Sequence, residues 1–148
     1  RASYASAVGR DRLGVEAVRR LQAKGVETEL ITVVDDAETG FVTALIDSSG
    51  DATYDFVTPA AWDFVESSEA ITKAAASVDA VVFGSLGARA ESTRKAIQAA
   101  ANAAQFAVCD VNLRPPFVEA GIVADAARSA DLLKVNDDEI LAVAQMLL

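Results

Sequence analysis

The sequence has no histidine, a single cysteine, one methionine, one tryptophan and three prolines in 148 residues. Without histidine, Ser-His and Cys-His catalysis and imidazole metal sites are excluded from the chain. Cys109 alone cannot close an internal disulfide, which fits a reducing cytoplasm, and its apolar neighbours make it a core thiol. No apolar run approaches the roughly 18 residues of a membrane span, and no basic-then-apolar signal segment opens the chain. Basic side chains are also in the minority. With 13 Lys and Arg against 22 Asp and Glu, the net charge is −9, which argues against nucleic acid or an anionic membrane as partner. A local Arg or Lys together with a metal ion still leaves room for phosphate.

What is present is a globular composition, 52% hydrophobic and 24% charged, in a length that suits one domain burying roughly 70% of its unfolded surface. The chain opens on Arg1 and closes inside an apolar helical pattern, 140–148, with no capping glycine or polar tail. It is therefore expected to be a piece of a longer protein.

Small apolar residues 2–8 predict a strand, and Gly9-Arg10-Asp11 turns it into a helix over 12–24. Gly14, Ala17, Val18 and Leu21 line one face of that helix, Asp11 is a natural N-cap and Gly25 a stop. The β-rich runs 30–34, 40–46 and 52–57 follow without a helix between them, the last two joined by Asp47-Ser48-Ser49-Gly50-Asp51. They predict a small antiparallel sheet over about 28–58, set into an α/β chain. Thr58-Pro59 reads as an N-cap and first helical residue of a short helix at 60–64. Helices at 66–76, 89–104 and 117–129 then alternate with strands at 80–83, 106–109 and 132–135, and a last helix starts at 137. This alternation predicts a doubly wound, mainly parallel, three-layer α/β fold from which the small antiparallel sheet projects.

Two predicted strand ends carry the polar side chains. One reads Cys109-Asp110-Val111-Asn112-Leu113-Arg114-Pro115-Pro116; the other reads Lys134-Val135-Asn136-Asp137-Asp138-Glu139. In an open parallel sheet the crevice at the carboxyl ends of the strands is where ligands bind. If the first segment is extended, Asp110, Asn112 and Arg114 project to one side, as a grip on an anion or sugar or as a structural ion pair. Asn136-x-x-Glu139 has the spacing of a capping box as well as of a site. Lys134 could serve phosphate or be a solvated strand end. Gly84-Ser85-Leu86-Gly87 follows a strand, precedes a helix and reads as a β-α turn, and Asp11 is explained by capping alone. Tyr54 and Phe56 share a strand face, where either could cover a ligand, and the small sheet's own core is the preferred place for Phe56.

Taken in order, Val8-Gly9-x-Asp11-x-x-Gly14, Gly84-Ser85-Leu86, Asp110-x-Asn112-x-Arg114 and Asn136-x-x-Glu139 resemble the ribokinase-like (PfkB-type) carbohydrate kinases, bacterial fructokinases above all. The resemblance implies an ATP-dependent sugar kinase, with fructose phosphorylated at its 6-hydroxyl, and residues 1–148 as a partial kinase domain. It implies substrate contacts from Asp11, Tyr54, Ser85, Asn112 and Arg114, and nucleotide contacts from Lys134, Asn136 and Glu139. Glu139 would orient Mg2+, mostly through water. As a β lid, the small antiparallel sheet would cover the sugar and join a homodimer. The Gly-rich sugar motif would precede Arg1, and the Gly-Ala-Gly-Asp loop with the catalytic base would follow Leu148, so no catalytic residue is expected here and the piece alone should not turn over. A kinase for ribose, ketodeoxygluconate or a purine nucleoside is the alternative within the class, although an arginine that ketodeoxygluconate kinases tend to carry near Tyr54 is missing. A non-catalytic ligand-binding or dimerisation module on the same scaffold is the alternative outside it.

Overall fold

The computed structural model describes residues 1–46, 48, 50 and 52–148. The chain forms two compact units, Arg1–Val65 and Glu66–Leu148. Parallel strand pairs and helices build both, and the first adds a small antiparallel sheet, in agreement with the predicted α/β class.

The first unit holds β1 (Ala2–Ser3), β2 (Ser6–Gly9), α1 (Arg12–Ala23), β3 (Val26–Glu27), β4 (Ile31–Val34), β5 (Val42–Ile46) and β6 (Ala52–Phe56). The strand expected over 2–8 is broken after Ser3, and its halves have different parallel partners, β1 with β3 and β2 with β4. β4 is a correction. It was expected in the antiparallel sheet, but it runs parallel to β2 from Ser6↔Ile31 to Gly9↔Val34. Helix α1 is the reason: it carries the chain back so that β3 and then β4 run alongside β1 and β2 in the same direction. The antiparallel sheet is thus a hairpin of β5 and β6, paired from Val42↔Phe56 to Ile46↔Ala52; residues 47, 49 and 51 of its predicted loop lie outside the described residues. Phe56 stacks on Trp62, with ring centroids 6.5 Å apart. The N-cap of the following turn is Ala60 rather than Thr58, whose hydroxyl donates to the carbonyl of Phe56. The 3₁₀ turn Ala61–Phe64 is held instead by Asp63, whose carboxylate accepts the Ala60 amide at 2.9 Å.

The second unit alternates α2 (Glu69–Ser77), β7 (Val81–Gly84), α3 (Glu91–Ala103), β8 (Ala107–Asp110), α4 (Ala120–Arg128), β9 (Leu132–Lys134) and α5 (Ile140–Leu147). Its sheet has the order β7-β8-β9 and is parallel throughout. Cys109 and Val111, two apart and so on one face, pack with Val123 and Ala126 of α4 and Val143 of α5. Each valine so removed from water stabilises the fold by roughly 1.5–3 kcal/mol. Cys109 is fully buried, and burial, with the charge of Asp110 beside it, pushes its thiol up to about 11. It is the inert core thiol that its neighbours predicted.

The helices of the second unit start later than predicted, α5 at Ile140 rather than 137. Ser68 accepts the Ile71 amide and starts α2 at Glu69. The helix expected over 89–104 is a 3₁₀ turn, Leu86–Arg89, followed by α3. A turn closed by the Phe117 amide on the Arg114 carbonyl occupies the start expected for α4.

In the first unit, Val8-Gly9-x-Asp11-x-x-Gly14 is a hydrogen-bond knot. Asp11 Oδ1 accepts the Gly14 amide and the Thr39 hydroxyl, both at 2.8 Å, and Oδ2 accepts the Thr39 amide at 2.7 Å. Thr39 Oγ1 in turn accepts the Gly9 amide at 2.8 Å. The glycines permit this approach. A Cβ at Gly9 would lie 2.5 Å from the Ala37 carbonyl oxygen, and one at Gly14 would lie 2.5 Å from that of Gly9. The bonds from Thr39 and Gly14 hold the Asp11 carboxyl below its ordinary value; Arg19 and Arg20 hold exposed Glu16 at about 2. A depressed folded-state carboxylate contributes stability above its unfolded pKa and loses it as pH falls through the folded one. Stability should therefore fall between about pH 4.5 and 2. Asp11→Asn should be less stable at pH 7 and show a shallower acid decline in denaturant melts at several pH values. An unchanged acid decline would remove Asp11 from this role.

Candidate functional site

The three strands of the second unit end together. β7, β8 and β9 finish at Gly84, Asp110 and Lys134, in parallel register, so the loops that follow them share one edge of the sheet. Beyond the last paired residues, the backbone polar groups are met one at a time. The Val111 amide donates to the Lys134 carbonyl at 3.1 Å. The Ser85 hydroxyl donates to the Val111 carbonyl at 2.6 Å. The Leu113 amide donates to Glu139 Oε1 at 2.5 Å. Glu139 also closes the turn ahead of α5 reciprocally: its Oε2 accepts the Asn136 amide at 3.2 Å, while its own amide donates to Asn136 Oδ1 at 2.9 Å. Side chains add two further ties. Lys134 Nζ lies 2.9 Å from Asp110 Oδ1, and the Arg89 guanidinium lies 4.5 Å over the ring of Phe117.

The predicted residues divide clearly. Ser85, Asn112, Arg114, Lys134, Asn136 and Glu139 all lie on this one edge. Ser85 and Glu139 are buried, at 5% and 7% exposure, and both act on backbone. Asn112 and Asn136 are exposed, Arg114 half-buried. Asp11 and Tyr54 belong to the first unit, Asp11 within its knot and Tyr54 on β6, opposite Ala44. Asp110 is paired with Lys134.

One geometric expectation fails. Asp110, Asn112 and Arg114 were to alternate along an extended segment, but Asn112 has φ +45°. That left-handed backbone turns the chain just after the ladder ends, so strand alternation no longer sets where these three side chains point. Asparagine tolerates the conformation better than most residues. Leu113, which supplies the amide to Glu139, and Phe117 under Arg89 were not singled out from the sequence. An asparagine just past a strand was the available signal for the turn; nothing local signals a backbone amide bonded 26 residues away.

Among the described residues, no group of three or more carboxylates and thiols forms a metal cage. Glu139 offers hard oxygen donors, but each already accepts an amide. Its remaining lone pairs suit a water on a hydrated Mg2+ better than direct ligation.

The family model described as pfkB family carbohydrate kinase matches residues 1–148. Among solved structures, the chain is similar to an uncharacterized sugar kinase from Pyrococcus horikoshii, at 18% identity and TM-score 0.84, covering 97% of this chain and 50% of that one. It is similar to a fructokinase from Xylella fastidiosa at 19% identity and TM-score 0.84, covering 98% and 48%. It is also similar to an aminoimidazole riboside kinase from Salmonella enterica, complexed with aminoimidazole riboside and an ATP analog, at 21% identity and TM-score 0.72, covering 96% and 48%. The chain thus spans about half the length of these structures. No curated protein matches it in sequence.

The turn at Asn112 is open to a stability test. Asn112→Gly should leave stability within about 0.5 kcal/mol of the parent, while Asn112→Val should cost about 1–2 kcal/mol, because a β-branched residue is strained at positive φ. Equal denaturant midpoints for the valine variant and the parent would show that this backbone is not held.

Proposed function

Since the chain belongs to the pfkB family of carbohydrate kinases, we propose that the full-length protein transfers the γ-phosphoryl group of ATP to a sugar hydroxyl, with the 6-hydroxyl of fructose as acceptor. One observation carries this reading: six of the polar residues expected to serve sugar and nucleotide lie on a single carboxyl edge of the parallel sheet β7-β8-β9. That edge is where open α/β sheets bind their ligands.

The roles follow from chemistry and burial. The Arg114 guanidinium, on a turn fixed by the Phe117 amide, suits bidentate contact with phosphate oxygens or vicinal hydroxyls. Asn112 and Asn136 have exposed amides that can donate and accept. Lys134 adds positive charge at the strand end, moderated by Asp110. Ser85 fixes the β7 loop against β8 rather than offering its proton to a ligand. Asp11 holds the first β-α turn. Mg2+, when bound, would neutralise the transferring phosphoryl group, and Glu139 fits a role toward it through water. Residues 1–148 are read as part of one kinase domain, with the β5–β6 hairpin as its lid. The exposed Val42, Ile46 and Tyr54 of that hairpin support its serving as a cover and as a contact between two copies.

The test is an ADP-release assay on the full-length protein with fructose, ribose, ketodeoxygluconate and a purine nucleoside. Fructose should give the highest kcat/KM. Turnover only on another of these would move the substrate, and no turnover on any would favour a binding module. Arg114→Ala should lower kcat/KM by about 10²-fold, and Arg114→Lys should not restore it, since a point charge cannot reproduce the planar fork.

A further inference from the structure

We propose that Glu139 is a positioning residue for the β8 loop, joining the half of the site that carries Asn112 and Arg114 to the half that carries Asn136. The proposal rests on the kinase reading for what the two halves bind, but its physical basis is independent of it. The carboxylate is buried, with 7% of the residue exposed. Its two oxygens are committed to amides on different loops, Oε1 to Leu113 at 2.5 Å and Oε2 to Asn136 at 3.2 Å. Leu113 lies between Asn112 and Arg114, so its amide is the handle by which that turn is held. Asn112 immediately before it has φ +45°, a conformation that persists only where neighbouring bonds fix it.

The remaining contacts make the coupling specific. The Val111 amide and carbonyl are held by Lys134 and Ser85, and the Arg114 carbonyl by Phe117. Between these anchors the bond to Glu139 fixes the Leu113 peptide. A carboxylate acting only on a hydrated cation would have no need of burial or of this bond. A carboxylate acting as a brace between two loops needs both.

The consequence is that loss of the carboxylate should be felt on the sugar side even without metal or nucleotide. Glu139→Gln keeps the side chain's shape but presents one acceptor and one donor to two amide donors. In the full-length protein it should speed hydrogen exchange of the Leu113 amide about tenfold or more, the scale for losing a charge-assisted hydrogen bond. It should also weaken fructose binding several-fold in EDTA, by calorimetry. Asn136→Ala, which leaves the Leu113 bond intact, should change Leu113 exchange much less. If Glu139→Gln leaves both Leu113 exchange and metal-free fructose affinity unchanged, and only Mg-ATP binding suffers, the brace is overturned and the metal role stands alone. Should the parent bind no fructose in EDTA, the substrate assignment fails while the exchange comparison still decides the brace. Should Glu139→Gln not fold, the parent decides it: a Leu113 amide that exchanges like an unstructured peptide overturns the proposal, and a protected one supports it.

Discussion

A parallel ladder satisfies its backbone groups only as far as its shortest strand. β8 is flanked by β7 and β9, and all three stop within a residue of the same level, at Gly84, Asp110 and Lys134. The chain continues past that level while still partly buried, because Val111 is 1% exposed and belongs to the core. Its peptide groups cannot be left without partners at that depth, where an unmet donor or acceptor costs about 1–3 kcal/mol. The hydroxyl of Ser85, the carbonyl of Lys134 and the carboxylate of Glu139 meet this obligation. The polar residues around the candidate site are, in the first place, what allows the strands to end there.

This obligation also sorts the polar side chains. Those that face the backbone, Ser85 and Glu139, are buried and have defined partners. A buried carboxylate is tolerated only when hydrogen-bonded, and two amides from separate loops supply that. Asn112 and Asn136 stay exposed, although Asn136 also accepts the Glu139 amide. A rigid inner set carrying a solvent-facing outer set is the arrangement that binding sites need, since positioning accounts for much of the catalysis in phosphoryl transfer.

Much of this was legible in the residues. The alternation of apolar runs with helical patterns located the strands β7, β8 and β9, and the polar strand ends located the edge. The reciprocal hydrogen bonds between Asn136 and Glu139 were read from spacing and both are present, but they close a turn ahead of α5, whose N-cap is Glu139 itself. The failures share a cause. β4 was assigned to the antiparallel sheet because local β-propensity does not say which strand is the partner; the crossover through α1 decides that. The alternation of Asp110, Asn112 and Arg114 failed because the ladder ends at Asp110, and the one signal of a positive φ, an asparagine just past the strand, was read as a strand residue. Thr39 escaped notice because its importance lies in reaching Asp11 across 28 residues.

The two units solve the same problem in the same way. In the first, an aspartate at the turn after β2 caps α1 through the Gly14 amide and accepts the Thr39 amide 28 residues on. In the second, a glutamate after β9 accepts the Asn136 amide of the turn ahead of α5 and the Leu113 amide 26 residues back. In each case one carboxylate meets a nearby amide, in the first turn of α1 or in the turn ahead of α5, and the amide of a distant loop together. Local hydrogen bonding and a place in the site were therefore not competing explanations of these acids. The nearby amide fixes the carboxylate, and a fixed carboxylate at a strand's carboxyl end can hold a second loop in place. The loop it braces in the second unit is the one that carries Asn112 and Arg114.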